Sequence, residues 1–252
     1  MSDRKLAVVV LAAGKGSRMK SDLPKVLHPV AGKPLLGHVL DRLDALGIRR
    51  RIVVVGHCRT AVEAYCAQRG VETVIQEPQL GTAHAFQQAM PALGDFRGPV
   101  LVLCGDTPLL TARTLTRLLE VQAERDAAAV VLSANLPDPT GYGRVLRDAE
   151  GNIERIVEHR DATDEERRVH EINTAIYAFR YPEGLADLNR VSRENQQGEY
   201  YLTDVIDLLR RRGQRTAVLC TDEPREAMGV NTMEQLAEAE SAMAELRAEG
   251  RL

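Results

Sequence analysis

The sequence predicts an α/β protein, a mostly parallel and doubly wound sheet followed by a smaller mixed α+β lobe. Three observations predict it. Short β-branched runs alternate with longer amphipathic stretches through the first half, which is the rhythm of βαβ units. A glycine-rich turn follows the first of those runs directly, and beyond residue 137 the runs shorten and polar turns separate them.

Residues 6–11 open the sheet as an unbroken apolar run, the pattern of a strand buried on both faces. A helix follows, because Leu35, Leu36, Val39, Leu40, Leu43 and Leu46 recur at helical spacing and Gly47 stops it. Further buried strands are predicted at 52–55, 71–75, 100–104 and 128–132, joined by right-handed crossovers. The stretch Pro137-Asp138-Pro139-Thr140-Gly141 then breaks the chain, and 145–146, 153–157 and 172–179 read as shorter strands. Helices return at 202–212 and at 233–247, where Leu236, Ala239, Met243 and Leu246 repeat and Gly250 ends the run. A chain of 252 residues is read as one domain, with lobes at 1–136 and 137–229 and a C-terminal helical segment at 230–252. It shows no internal repeat, low-complexity tract or flexible linker.

Composition narrows the function classes. With 33 Lys and Arg against 36 Asp and Glu, the formal charge of -3 gives no global attraction to nucleic acid or anionic lipid. The basic runs at 49–51 and 210–212 lack interleaved aromatics and read as solvated charge. Cys58, Cys66, Cys104 and Cys220 are dispersed, as reduced thiols of a cytosolic protein are, and have no zinc-site spacing. Residues 1–5 are polar, and no apolar run approaches the roughly 18 residues of a membrane span. The expectation is a cytoplasmic protein with neither nucleic-acid nor membrane partners.

The strongest local feature is Leu11-Ala12-Ala13-Gly14-Lys15-Gly16-Ser17-Arg18-Met19. Glycines at 14 and 16 let backbone N–H groups approach phosphate oxygens, and Lys15, Arg18 and Lys25 add charge. Met19 stands where a dinucleotide fingerprint needs its third glycine, and Gly32-Lys33 is followed by Pro34 where a Walker loop needs Ser or Thr. An ordinary strand-to-helix turn with exposed basic residues is the competing reading, which Lys25 behind Pro24 weakens.

This loop with Leu23-Pro24-Lys25 resembles the signature of the sugar-1-phosphate nucleotidyltransferases, and further segments resemble the N-acetylglucosamine-1-phosphate uridylyltransferases among them. Those segments are Gln76, Gln79-Leu80-Gly81-Thr82-Ala83-His84-Ala85, Gly105-Asp106, Asp138-Pro139-Thr140-Gly141-Tyr142-Gly143-Arg144, Val157-Glu158-His159, Glu171-Ile172-Asn173-Thr174 and Gln197-Gly198-Glu199-Tyr200-Tyr201-Leu202-Thr203-Asp204. Their order and spacing cover nearly the whole chain. The resemblance implies a Rossmann-like fold of the nucleotide-diphospho-sugar transferase type, and an enzyme of UDP-N-acetylglucosamine biosynthesis.

By the same resemblance, Leu11, Ala12, Ala13, Gly14 and Gly16 cradle the nucleotide phosphates, while Gln76, Gln79, Gly81 and Thr82 read the base. Gly143, Glu158, Asn173, Tyr200 and Thr203 form the sugar site, although the adjacent tyrosines Tyr200 and Tyr201 also fit a core edge. Asp106 and Asn231 are the implied Mg²⁺ ligands, a small protein contribution that suits a cation keeping water and phosphate oxygens. Taken singly, Asp106 is equally a turn cap and Asn231 a helix cap. Departures from the family stand at Ala83, Cys104, Thr107 and Ala175, and they bear on pocket tightness.

The implied reaction is in-line attack of N-acetylglucosamine 1-phosphate on the α-phosphorus of UTP, expelling pyrophosphate, with Arg18 and Lys25 flanking the phosphates. Glu158 is not needed as a base, because the attacking phosphate oxygen is already ionised at neutral pH. Rivals are another sugar-1-phosphate nucleotidyltransferase, such as one acting on glucose 1-phosphate, and a catalytically silent domain that binds sugar nucleotides. The resembling enzymes continue into a hexapeptide-repeat β-helix that acetylates glucosamine 1-phosphate and assembles a trimer. No such repeat occurs here, so acetyl transfer is expected to be missing and the chain to be a monomer or weak dimer.

Overall fold

The computed structural model describes residues 6–252; residues 1–5, the polar lead-in, lie outside the described residues. Strand β1 (Ala7–Ala12) is apolar on both faces and is buried on both. Ala7 and Val9 join one core cluster, Val8, Val10 and Ala12 the other, so the sheet separates two hydrophobic layers.

Around β1 the chain adds a two-stranded ribbon, β2 (Pro29–Val30) and β3 (Lys33–Pro34), then α1 (Leu35–Ala45), β4 (Arg50–Val55), α2 (Arg59–Gln68), β5 (Glu72–Ile75), α3 (Thr82–Leu93), β6 (Gly98–Cys104), α4 (Ala112–Glu124) and β7 (Ala129–Asn135). Beyond the proline-rich break come β8 (Arg144–Arg147), β9 (Ile153–Val157), β10 (Glu171–Tyr181), α5 (Asp204–Arg211), β11 (Thr216–Cys220) and α6 (Met233–Ala248). The large sheet has nine strands, its main path running β11-β7-β10-β6-β1-β4-β5, with β8 on β10 and β9 on β8.

Pairing of β1 with β4 and β6, and of β4 with β5, is parallel as expected, but β5, read from the sequence as a buried strand, ends the main path of the sheet with Glu72 and Ile75 exposed. β10 enters antiparallel between β6 and β7. The change of pattern at residue 137 therefore marks where antiparallel pairing begins, not where the sheet ends, because β10 and β11 both belong to it. Strand order reverses at β1, between β4 and β6, which opens a crevice at their carboxyl ends.

The sequence did not disclose β11. Its five residues lie at the sheet edge, four half-buried and Cys220 exposed, a run too short and too mixed to stand out. The basic runs are taken up internally: Arg51 pairs with Asp44, Arg50 donates to the carbonyls of Ala92 and Leu93 at the end of α3, Arg211 pairs with Asp207 and Arg212 with Asp187. No helix among the described residues is long and apolar enough to cross a membrane.

A third cluster decides where the C-terminal helix goes. Ala239, Ala242, Met243 and Leu246 of α6 pack on Met19, Val30, Leu35 and Leu109, so the helix braces the glycine-rich loop from behind. That docking brings residue 231 beside the end of β6, where the Val230 N–H donates to the Asp106 carbonyl at 2.9 Å.

Candidate nucleotide and sugar-phosphate site

The loop after β1 is tied to the neighbouring strand end by the Gly105 N–H, which donates to Leu11 O at 2.9 Å. Gly16 sits at φ +59°, and a Cβ there would lie 2.8 Å from Lys25 Cβ, so only glycine permits both the turn and the approach of Lys25. Ser17–Met19 forms one 3₁₀ turn that buries Met19 and leaves Arg18 exposed above the crevice. Nothing lies within 4 Å of the Cβ position at Gly14, so that stretch of backbone is open to a ligand.

Lys25, Asp106 and Asn231 converge. The Lys25 ammonium donates to Asp106 Oδ2 and, at 2.9 Å, to Asn231 Oδ1. The side chains of Lys25 and Asp106 are only 15% and 14% exposed, so each charge needs the other. The capping alternatives for the two presumed metal ligands are not what the structure shows. Thr232 caps α6, its hydroxyl accepting from the Gln235 N–H at 3.2 Å. Thr111 caps α4. Asn231 is instead oriented by its N–H donating to Gln235 Oε1 at 2.8 Å and its amide donating to Gly229 O at 3.2 Å.

Two side-chain oxygens already meeting one cationic group fit a hard divalent ion that takes few protein ligands. No group of three or more His, Cys, Asp or Glu suited to a metal occurs among the described residues.

Among the residues expected to read the base, Gln76 is buried at 3% exposure, with its amide donating to Gly81 O at 2.9 Å and meeting His84 Nδ1 at 3.1 Å. Gln79 donates to Gln76 O at 3.0 Å. Gly81, at φ +109°, lies against the Tyr200 backbone, where a Cβ would stand 2.5 Å from the carbonyl oxygen. Thr82 has a role the sequence did not suggest: its hydroxyl accepts from the Leu202 N–H at 2.9 Å. With Tyr200 N–H donating to Leu80 O (2.8 Å) and Ala83 N–H donating to Tyr200 O (2.9 Å), this stitches the base-side turn to the loop before α5.

Leu11 through Arg18, Lys25, Gln76, Gln79, Gly81, Thr82, Asp106, Glu199 and Asn231 together line one cavity of about 450 Å³, a volume suited to a nucleotide-sized ligand.

The predicted sugar residues gather next to it around Glu158. The Gly143 Cβ position is 3.3 Å from the Glu158 carboxylate, and Gly143 O accepts from the Asn173 N–H at 2.8 Å. The Asn173 side chain is engaged internally, donating to the Tyr177 hydroxyl at 2.8 Å and accepting from the Ala175 N–H at 3.1 Å. Burial, with Asp204 and Asp161 adding repulsion, raises the Glu158 carboxyl from an ordinary 4.5 to about 7. Asp204 is itself raised to about 6 by burial and by Asp207 and Asp161. The Thr203 hydroxyl, close to Glu158, is buried without a partner in full hydrogen-bond geometry. Tyr200 is engaged with other partners: Arg193 lies 5.5 Å over its ring, and its backbone carries the stitching described above.

Two residues to which the sequence assigns no role border the site. Gly56, directly after β4, fits where a Cβ would lie 2.7 Å from the Gln79 amide and 2.9 Å from Ala13 O, and a glycine immediately after a buried strand was the available signal. Tyr142 stands in the segment 138–144, where the sequence gives it no role of its own. Burial, with the nearby Asp106 charge adding repulsion, raises its phenol pKa. Ala175, one of the departures noted in the sequence, occupies φ +59° at a bulge in β10.

Comparison with known proteins matches residues 8–170 to the MobA-like NTP transferase domain. The chain is 49% identical over 235 residues to the bifunctional protein GlmU of Halalkalibacterium halodurans, a match covering 93% of this chain and 51% of that protein. It is 49% identical over 239 residues to the protein of the same name from Brevibacillus brevis, with 95% and 52% covered. For that of Bacillus subtilis the figures are 46% over 243 residues, with 96% and 53% covered. The chain thus spans about half the length of the curated relatives it matches.

Proposed function

The chain belongs to the MobA-like NTP transferase domain family, and from that premise we propose that it is a uridylyltransferase joining UTP to N-acetylglucosamine 1-phosphate, with release of pyrophosphate. The observation that carries this reading is the one cavity lined together by the loop 11–18, Lys25, Gln76, Gln79, Gly81, Asp106 and Asn231. Similarity to proteins named GlmU over nearly the whole chain supports it.

In this reading the open backbone at Gly14 and the exposed Arg18 receive the triphosphate. Lys25 and Arg18 offset the charge that builds as two anionic phosphates approach, and no covalent enzyme intermediate is required. Asp106 and Asn231 hold Mg²⁺, which when bound supplies further charge neutralisation between the phosphates. Gln76, locked by Gly81 and His84, presents a fixed amide to the uracil edge. The missing side chain at Gly143 lets the Glu158 carboxylate lie close against that backbone, and the carboxyl group meets the sugar hydroxyls.

The test is pyrophosphate release from UTP, Mg²⁺ and N-acetylglucosamine 1-phosphate. Release with glucose 1-phosphate at equal or higher kcat/KM would move the assignment to another sugar. No turnover with any sugar 1-phosphate would leave a binding domain only.

A further inference from the structure

We propose that in the free protein the Lys25 ammonium holds the place of the divalent cation, so that metal enters only together with a triphosphate that draws Lys25 away. The inference deepens the reading above and rests on it in taking Asp106 and Asn231 as the cation's ligands. One side-chain oxygen of each, Oδ2 of Asp106 and Oδ1 of Asn231, is already engaged by Nζ, at 2.9 Å in the case of Asn231. A magnesium ion needs those same oxygens, and an ammonium a few ångströms away would repel it. Nor does the remainder of the cavity attract a bare cation, because Lys15 and Arg18 outnumber Glu199 among the other charged side chains lining it.

Triphosphate reverses both conditions. It turns the local charge negative, and it offers the ammonium oxygens other than those of Asp106 and Asn231. Lys25 is built to make the exchange: its Cβ is held against Gly16, while its four-carbon stem lets the head group swing. Metal and nucleotide binding are thereby coupled, and the carboxylate of Asp106, mostly buried, is never left without a counter-charge.

The experiment titrates Mn²⁺ into the intact chain without nucleotide, reading free Mn²⁺ by electron paramagnetic resonance. Native protein is expected to bind it weakly, and Lys25→Met to bind it on the order of tenfold more tightly or better. The gain should vanish when Asp106→Asn is added to Lys25→Met, and native protein should gain affinity when a non-hydrolysable UTP analogue is present. Equal Mn²⁺ affinity in native and Lys25→Met, or a gain that survives Asp106→Asn, overturns the proposal. Lys25→Gln carries the same test if the Met variant does not fold. The outcome separates cleanly from the substrate assignment. A Mn²⁺ gain without pyrophosphate release refutes only the substrate, and release without the gain refutes only the placeholder role.

Discussion

Gly16 and Lys25 are packed so closely that a single methyl group would not fit between them: a Cβ on Gly16 would lie 2.8 Å from Lys25 Cβ. Because Gly16 is also at φ +59°, Gly16→Ala combines a left-handed backbone, at roughly 1–2 kcal/mol, with displacement of Lys25. The expected result is a lower Tm together with a kcat loss out of proportion to it. A variant that loses stability but keeps full kcat would show that the contact does not set the position of Lys25.

Removing the charges themselves should be more severe. Lys25→Ala and Asp106→Asn are each expected to lower kcat on the order of 10²–10³-fold at saturating substrates, because each group acts where charge develops between the two phosphates. Steady-state pyrophosphate release measures this, and full activity in either variant would remove that residue from the mechanism.

Glu158 carries a pH signature. Its carboxyl is raised to about 7 by burial, with repulsion from Asp204 and Asp161, so it ionises close to neutrality. If the ionised form accepts from sugar hydroxyls, KM for the sugar 1-phosphate should fall roughly tenfold as pH rises from about 6 to about 8, and Glu158→Gln should flatten that dependence. kcat should not follow the same titration, since the attacking phosphate needs no base. A kcat profile rising with the Glu158 ionisation would make it a general base after all.

The same group affects stability with the opposite sign to an ordinary salt-bridged carboxylate. Its folded pKa lies above its unfolded value of 4.5, so both states are protonated in acid, and folding loses stability as pH rises from there through about 7. The Tm gain of Glu158→Gln over native protein is therefore expected to be larger at about pH 8 than at about pH 5. A gain independent of pH would mean that Glu158 ionises normally.

Much of this arrangement was legible in the sequence because its signals are local. Unbroken apolar runs announce buried parallel strands, and the glycine pair at 14 and 16 announces a turn open to anions. What stayed hidden depends on distant partners. Asp106 and Asn231 each read equally well as caps, and only the docking of α6 on Met19 and Leu35 brings residue 231 to the end of β6. Thr82 looked like a base contact, yet its hydroxyl meets the N–H of a residue 120 positions away. Gly56 carried no motif, since its reason lies in Gln79 and Ala13, which it meets only in the fold.

The Thr82 to Leu202 hydrogen bond makes a prediction of its own. Leu202 is buried, so Thr82→Val would leave its N–H unpaired at roughly 1–3 kcal/mol, while Thr82→Ser keeps the acceptor. Because the bond joins the base-side turn to the loop leading into Thr203 and Asp204, Thr82→Val should raise KM for the sugar 1-phosphate more than KM for UTP. An effect confined to UTP would return Thr82 to base recognition alone.

Ala175 tests whether the bulge in β10 holds the sugar side in shape. Its φ of +59° disfavours any residue with a Cβ, and its N–H donates to Asn173 Oδ1 at 3.1 Å, so strain here is coupled to the orientation of the Asn173 amide. Ala175→Gly removes the steric penalty but adds freedom to the unfolded chain, and the two nearly offset, so Tm should stay level or rise by the equivalent of under about 1 kcal/mol. Ala175→Val, branched at Cβ, cannot hold the left-handed conformation without larger strain and should lower Tm by at least about 2 kcal/mol equivalent. If the bulge positions Asn173, the Val variant should also raise KM for the sugar 1-phosphate while leaving KM for UTP near native. A Val variant as stable as native protein would show that the β10 backbone relaxes at this point and that the bulge is not what fixes Asn173.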